Sequence, residues 1–210
     1  MKGDNIMKFR ASVVIFVLLL CNSAFAADNS YIFGRTSNGH YTNQTLGVKA
    51  YFSENWRVLS REEIAQLYGI SSPNPKSFTN GEMPFFYAMS NEGLAHVMIL
   101  LANLGVMGNA VSSKESDKIL NREIDQFSKS FVDSFKEAGM TEVKIKRATQ
   151  SFAGKKYPGF TISAKMQGVD VHAKGVLCHK GEYLYCVLPM SLGSDITDAL
   201  FGMFRRTAAR

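Results

Sequence analysis

Cysteine is scarce in this 210-residue chain, with three residues in all and only Cys178 and Cys186 beyond the first tenth of the sequence. That excludes a disulfide-dense scaffold and the paired Cys/His spacing of a structural zinc module. Tryptophan occurs once, as Trp56, and proline five times, with no low-complexity tract, which excludes collagen-like and disordered chains. No apolar run reaches the roughly 20 residues of a spanning helix, because Asn22 and Ser23 interrupt the stretch that begins at Ala11. The sequence also lacks a Gly-x-Ser-x-Gly elbow, a P-loop, a dinucleotide fingerprint and a zincin helix. Its carboxylates do not cluster at an informative spacing. No catalytic residue, metal ligand or cofactor is assigned from these patterns, and the chain reads as a non-enzyme.

What is present first is an address. Lys8 and Arg10 form a positive leader, Ala11 to Leu20 an uncharged apolar stretch, and Ala24-Phe25-Ala26 places small residues where a signal peptidase reads. Residues 1–26 are therefore expected to be a cleavable signal peptide, with export to the periplasm or beyond. A lipoprotein reading would use Cys21, although Leu20 stands where a small residue is normally wanted. Met7-Lys8-Phe9-Arg10 is itself a complete leader start.

Removing 26 of 210 residues leaves 184, one domain able to bury roughly 70% of its unfolded surface. The formal charge is +6, of which the leader carries +2 through Lys2, Lys8, Arg10 and Asp4. The remaining Lys and Arg are spread along the chain, with local groups at Lys144/Lys146/Arg147, Lys155/Lys156 and Arg205/Arg206/Arg210. A nucleic-acid binder would show a denser basic face with interleaved aromatics. The spread reads as solvated surface charge, with weak attraction to anionic lipid headgroups as the alternative.

Residues 27–40 read as a flexible lead, followed by one domain over 41–206. Leu46–Phe52 and Asn55–Leu59 read as strands. Ser60-Arg61-Glu62-Glu63 is a capping box, with Leu59 and Ile64 as a hydrophobic staple, and opens a helix over Arg61–Tyr68. Ser71–Pro84 reads as a loop, Phe85–Met89 and Leu94–Leu101 as a hairpin, and Ala102–Ser112 as a second loop. Leu120, Ile124, Phe127, Phe131 and Phe135 recur at helical spacing, which predicts a helix over Lys114–Ala138 with its stripe against a sheet. Strands follow at Val143–Ala148, Lys155–Ile162, Val169–Cys178 and Tyr183–Leu188. Pro158 points to an edge strand or to a start after the proline. A last helix is predicted over Asp195–Arg206, capped by Ser194 and with Arg205 and Arg206 at its C-terminal end. Without regular βαβ alternation, the order implies an α+β fold built on an antiparallel sheet.

The runs Tyr41-Thr42-Asn43, Asn55 to Ser60, Phe85 to Ser90 and Phe152 to Phe160, with the late hairpin and C-terminal helix, resemble the PsbP/DcrB-like superfamily of exported proteins. The resemblance spans about Tyr41 to Phe204 and rests on topology and on generic Gly, aromatic and aliphatic positions. It implies an antiparallel sheet sandwiched between helices on both sides, and a non-enzymatic role in binding other macromolecules. Only the fold transfers well within such a group.

Three local questions remain at this level. His96 lies on an apolar strand and reads as a core histidine satisfied by a backbone partner. His172, Cys178, His179 and Cys186 form the only local Cys/His group, at a spacing that fits no standard metal site. Cys178 and Cys186 are either a disulfide or two separately buried thiols. A two-residue Lys180-Gly181 turn points them to opposite sheet faces, and a three- or five-residue loop puts both on one face. Leu104, Val106 and Met107, between glycines, form a candidate partner-contact loop. The expected function is an exported binding or accessory module for a protein or envelope component, without nucleic acid and with at most weak membrane contact. The alternative is a small-molecule binder or hydrolase whose site assembles only in three dimensions.

Overall fold

The computed structural model describes residues 30–69, 82–104 and 113–207. In chain order these are α1 (Ser30–Phe33), β1 (Arg35–Ser37), β2 (His40–Asn43), β3 (Val48–Tyr51), β4 (Trp56–Val58), α2 (Arg61–Leu67), β5 (Glu82–Ser90), β6 (Ala95–Asn103), α3 (Ser113–Glu137), β7 (Thr141–Phe152), β8 (Lys155–Met166), β9 (Val169–Lys180), β10 (Tyr183–Leu192), α4 (Thr197–Gly202) and β11 (Phe204–Arg206). The strands form a seven-stranded sheet in the order β4-β5-β6-β10-β9-β8-β7 and a four-stranded sheet in the order β1-β2-β3-β11. The pairings are antiparallel throughout. The fold is α+β.

The core lies on both faces of the large sheet. One face meets α3, whose predicted stripe of Leu120, Ile124, Phe127, Phe131 and Phe135 is buried. Phe131 packs on Phe160 of β8 with ring centroids 5.6 Å apart. Strand side chains alternate between faces, so Phe160 places Ile162 and Ala164 on the same side, and register carries that face to Ala173 on β9. The other face meets the small sheet. Tyr41 and Phe86 rings lie 4.2 Å apart, and Phe52 contacts Phe86 at 5.4 Å and Phe204 at 6.3 Å. The small sheet and α4, through Phe201 on Phe152, share this second face, so it is covered by strands as well as by a helix.

The capping box is fully formed. Ser60 Oγ accepts the Glu63 N–H at 3.1 Å, and the Glu63 carboxylate accepts the Ser60 N–H at 2.8 Å. This chemistry is local, so four residues suffice to specify it. The late strands run longer than predicted. Pro158 sits inside β8 and not at its end, yet pairing with β9 begins only at Gly159. At the proline the strand therefore has one bonded neighbour, which tolerates the missing N–H. Pro189 is handled similarly: the ladder to β9 lacks Leu188 and Pro189, while β6 continues opposite through Val97.

Two terminal expectations are corrected. Residues 30–40, expected to lie in a flexible lead, form α1 and β1, and Ile32 and Phe33 are buried. The final helix is only Thr197–Gly202, with no side-chain cap from Ser194. Phe204–Arg206 instead pairs with β3, so Arg205 and Arg206 stand on a strand. The expected signal segment 1–26, with Cys21, and most of the Ser71–Pro84 loop lie outside the described residues. Among the described residues, no helix is long and apolar enough to cross a membrane.

Candidate functional site

The polar groups beneath α1 are engaged with one another. The Ile32 carbonyl accepts Asn43 Nδ2 at 2.8 Å and the Tyr185 hydroxyl at 3.2 Å. The Tyr41 hydroxyl donates to the Phe33 carbonyl at 3.2 Å and accepts Asn43 Nδ2 at 3.0 Å, while Asn43 Oδ1 takes the Leu46 N–H at 2.8 Å. Burial pushes the Tyr41 and Tyr185 hydroxyls well above the ordinary phenol range. They are donors locked in place and not candidate bases. Arg61 closes this region from outside. It donates to the Gly34 carbonyl at 3.0 Å and lies 5.3 Å from the centre of the Phe33 ring. A side chain at Gly34 would come within 2.6 Å of the Thr42 carbonyl, so close approach requires glycine there. The apolar triplet Tyr31-Ile32-Phe33 was the available signal that the lead is part of the domain.

His96 is a core histidine, as its strand pattern implied. Its Nε2 lies 3.1 Å from the Gly93 carbonyl, and its Nδ1 2.8 Å from the Tyr87 hydroxyl. A carbonyl can only accept, so Nε2 carries the proton and Nδ1 accepts from Tyr87. Burial pushes the imidazole pKa down to about 4, opposed by the Gly93 hydrogen bond. Both ring nitrogens are occupied by structure, which leaves none to serve as a base.

The cysteines are separated by register. Tyr183 pairs with Lys180 around a Gly181-Glu182 turn, so Cys178 stands opposite Tyr185 and Cys186 opposite Leu177. Their side chains leave opposite faces of the sheet. Both are buried free thiols, the second of the two arrangements left open by sequence. Burial pushes the Cys178 thiol up to about 12. The same alternation sends Cys178 and His172 to one face and His179 and Cys186 to the other, dividing the local Cys/His group. His172 meets the Gly193 carbonyl at 3.1 Å. Among the described residues, no three metal-ligating side chains converge.

Of the candidate contact loop, Leu104 packs against the core and its N–H donates to the Glu182 carbonyl at 2.8 Å. Val106 and Met107 lie outside the described residues.

A surface feature that sequence reading did not anticipate lies on the outward face of the small sheet. Register places Arg35 opposite Thr42, Thr42 opposite Lys49, and Lys49 opposite Arg205. Directly paired residues share a face, so these four form one row across all four strands. Beside it the His40 and Tyr51 rings meet at a tilt of 40° with centroids 4.7 Å apart, and Tyr51 is 55% exposed. None of the four strands contains an aspartate or glutamate. Positions 35, 49 and 205 are remote in sequence, so no charge-run scan would have joined them.

No family model matches the chain, and no curated protein does. Among solved structures it is similar to LpqN of Mycobacterium tuberculosis, described as involved in cell envelope biogenesis. The identity is 11%, the match covers 74% of this chain and 75% of that one, and the TM-score is 0.29. A likeness at that level carries no argument about fold or role.

Proposed function

We propose that this chain is an exported, non-catalytic binding module that acts at the cell envelope, built on an α+β fold of the PsbP/DcrB-like kind. The observation that carries the reading is the contrast between its interior and its outward sheet face. Among the core side chains with catalytic potential, His96, Tyr41, Tyr185 and Cys178 are held by hydrogen bonds or suppressed by burial. The outward face of the small sheet instead offers exposed charge and an aromatic ring pair, which suits recognition. Export is supported by the charged, apolar and small-residue order of residues 8–26. The element order is similar to the superfamily's and supports that fold assignment. The test combines fractionation of cells, intact mass of the recovered chain and affinity capture from an envelope extract. Recovery in an envelope or extracellular fraction, with residues 1–26 removed and an envelope component retained, is expected. A full-length chain confined to the cytosolic fraction would contradict the reading.

A further inference from the structure

We propose that the outward face of the four-stranded sheet docks on an anionic lipid-headgroup surface, with Lys49 and Arg205 meeting phosphates and Tyr51 entering the interface. This deepens the reading of the chain as an envelope binding module and rests on it. The row spans three strand spacings, about 14 Å at ~4.8 Å each, wide enough for its charges to meet more than one headgroup. Some cations elsewhere sit beside carboxylates, such as Arg57 with Glu63, Arg147 with Asp125 and Lys165 with Asp170, and others, such as Lys144 and Lys146, stand outside the ion pairs of the described residues; what sets this face apart is a row of cations from different strands, none of which contains a carboxylate. Among the ion pairs of the described residues, none engages Lys49 or Arg205. Arg205 donates to the Gly202 carbonyl, which orients the guanidinium without neutralising it.

The surrounding chemistry favours a headgroup layer over an acidic protein groove. The face is exposed at Lys49, Tyr51 and Arg205, and its row is one charge wide. A protein partner held tightly needs buried anchors in pockets. A headgroup surface needs only summed charge and an interfacial aromatic, and tyrosine is suited to that boundary because its ring is apolar and its hydroxyl polar. Each Lys or Arg brought to an anionic bilayer strengthens binding about fivefold, within a Debye length of roughly 10 Å at 0.1 M salt.

Flotation with vesicles of phosphatidylglycerol and phosphatidylcholine tests the proposal, using the purified chain without residues 1–26. The wild type is expected to float with mixed vesicles, to release at high salt, and to stay unbound on pure phosphatidylcholine. Lys49→Gln/Arg205→Gln removes two charges and is expected to weaken binding about 25-fold. Lys144→Gln/Lys146→Gln removes the same charge from exposed positions on β7 and is expected to change binding less than threefold. Lys49→Gln alone, expected to cost about fivefold, keeps the test open if the Arg205 change loosens α4. Equal losses in the two double variants would reduce the effect to net charge and overturn the proposal. Absence of vesicle binding, or binding only to soluble acidic proteins or heparin, would overturn it as well. Because flotation uses isolated chain and lipid, its failure would leave the envelope reading to be decided separately, by fractionation and capture.

Discussion

Acidification from pH 7.5 to pH 5 should weaken the fold by about 2 kcal/mol through His96 alone. An unfolded imidazole titrates at the ordinary value of 6.5, whereas burial lowers the folded value to about 4. Between those values the unfolded chain binds the extra proton, so stability is fully present above 6.5 and falls as pH drops through the window toward 4. The full difference corresponds to about 3.4 kcal/mol, and the part expressed between pH 7.5 and pH 5 is about 2 kcal/mol. Carboxylates contribute little over that range. Glu63, for example, is held low first by the Ser60 N–H and then by Arg57, so it matters only in more acidic solution. Denaturant unfolding at the two pH values, on the wild type and His96→Gln, reads the effect directly. The wild type should lose about 2 kcal/mol and the variant, although less stable at pH 7.5, should lose far less on acidification. Tyr87→Phe offers a gentler perturbation. It removes the hydroxyl that donates to Nδ1 of the neutral ring, so the folded pKa should rise and the pH-dependent loss should shrink. A wild type whose stability is flat from pH 7.5 to 5, or the same slope in His96→Gln, would refute the reasoning.

Three further outcomes follow from packing. Gly175→Ala should destabilise by about 3 kcal/mol in a denaturant titration, because a β-carbon there would lie 2.6 and 2.7 Å from ring carbons of Phe160. A cost below about 0.5 kcal/mol would show that the Phe160 ring yields freely. Ile32→Ala should cost about 2–5 kcal/mol, since Ile32 is fully buried. A neutral change would return residues 30–40 to the status of a loose lead. Cys178 and Cys186 should both be alkylated once the non-reduced chain is unfolded, and Cys178 should react slowly in the native state at pH 8. A mass 2 Da low with no alkylation would mean that the thiols are paired.

The parts of the fold that sequence revealed are those fixed by near neighbours. The α2 capping box needs only Ser60 to Glu63, and the α3 face only the spacing of Leu120, Ile124 and three phenylalanines. The cysteine question was half legible, because parity follows from the turn. Lys180-Gly181 gave the right parity even though the turn residues are Gly181-Glu182. What escaped depends on distant partners. The Ile32 carbonyl is held by the hydroxyl of Tyr185, 153 positions away. Phe204 continues the helical spacing from Leu200, yet β3 offers residues 204–206 a ladder, and sheet pairing overrides the local pattern. The cationic row is the same kind of feature: three strands contribute one charge each, and only their register makes a surface. Pro158 shows the limit of a correct local rule, since the residue avoids a second bonded neighbour while remaining well inside β8.

The contact face is tested most directly by a lysine-acetylation footprint of the chain bound to anionic vesicles, read by mass spectrometry against the free chain. Lys49 is expected to become protected while Lys144 and Lys146 keep their reactivity. Unchanged reactivity at Lys49, or equal protection at all three lysines, would contradict docking through the small sheet.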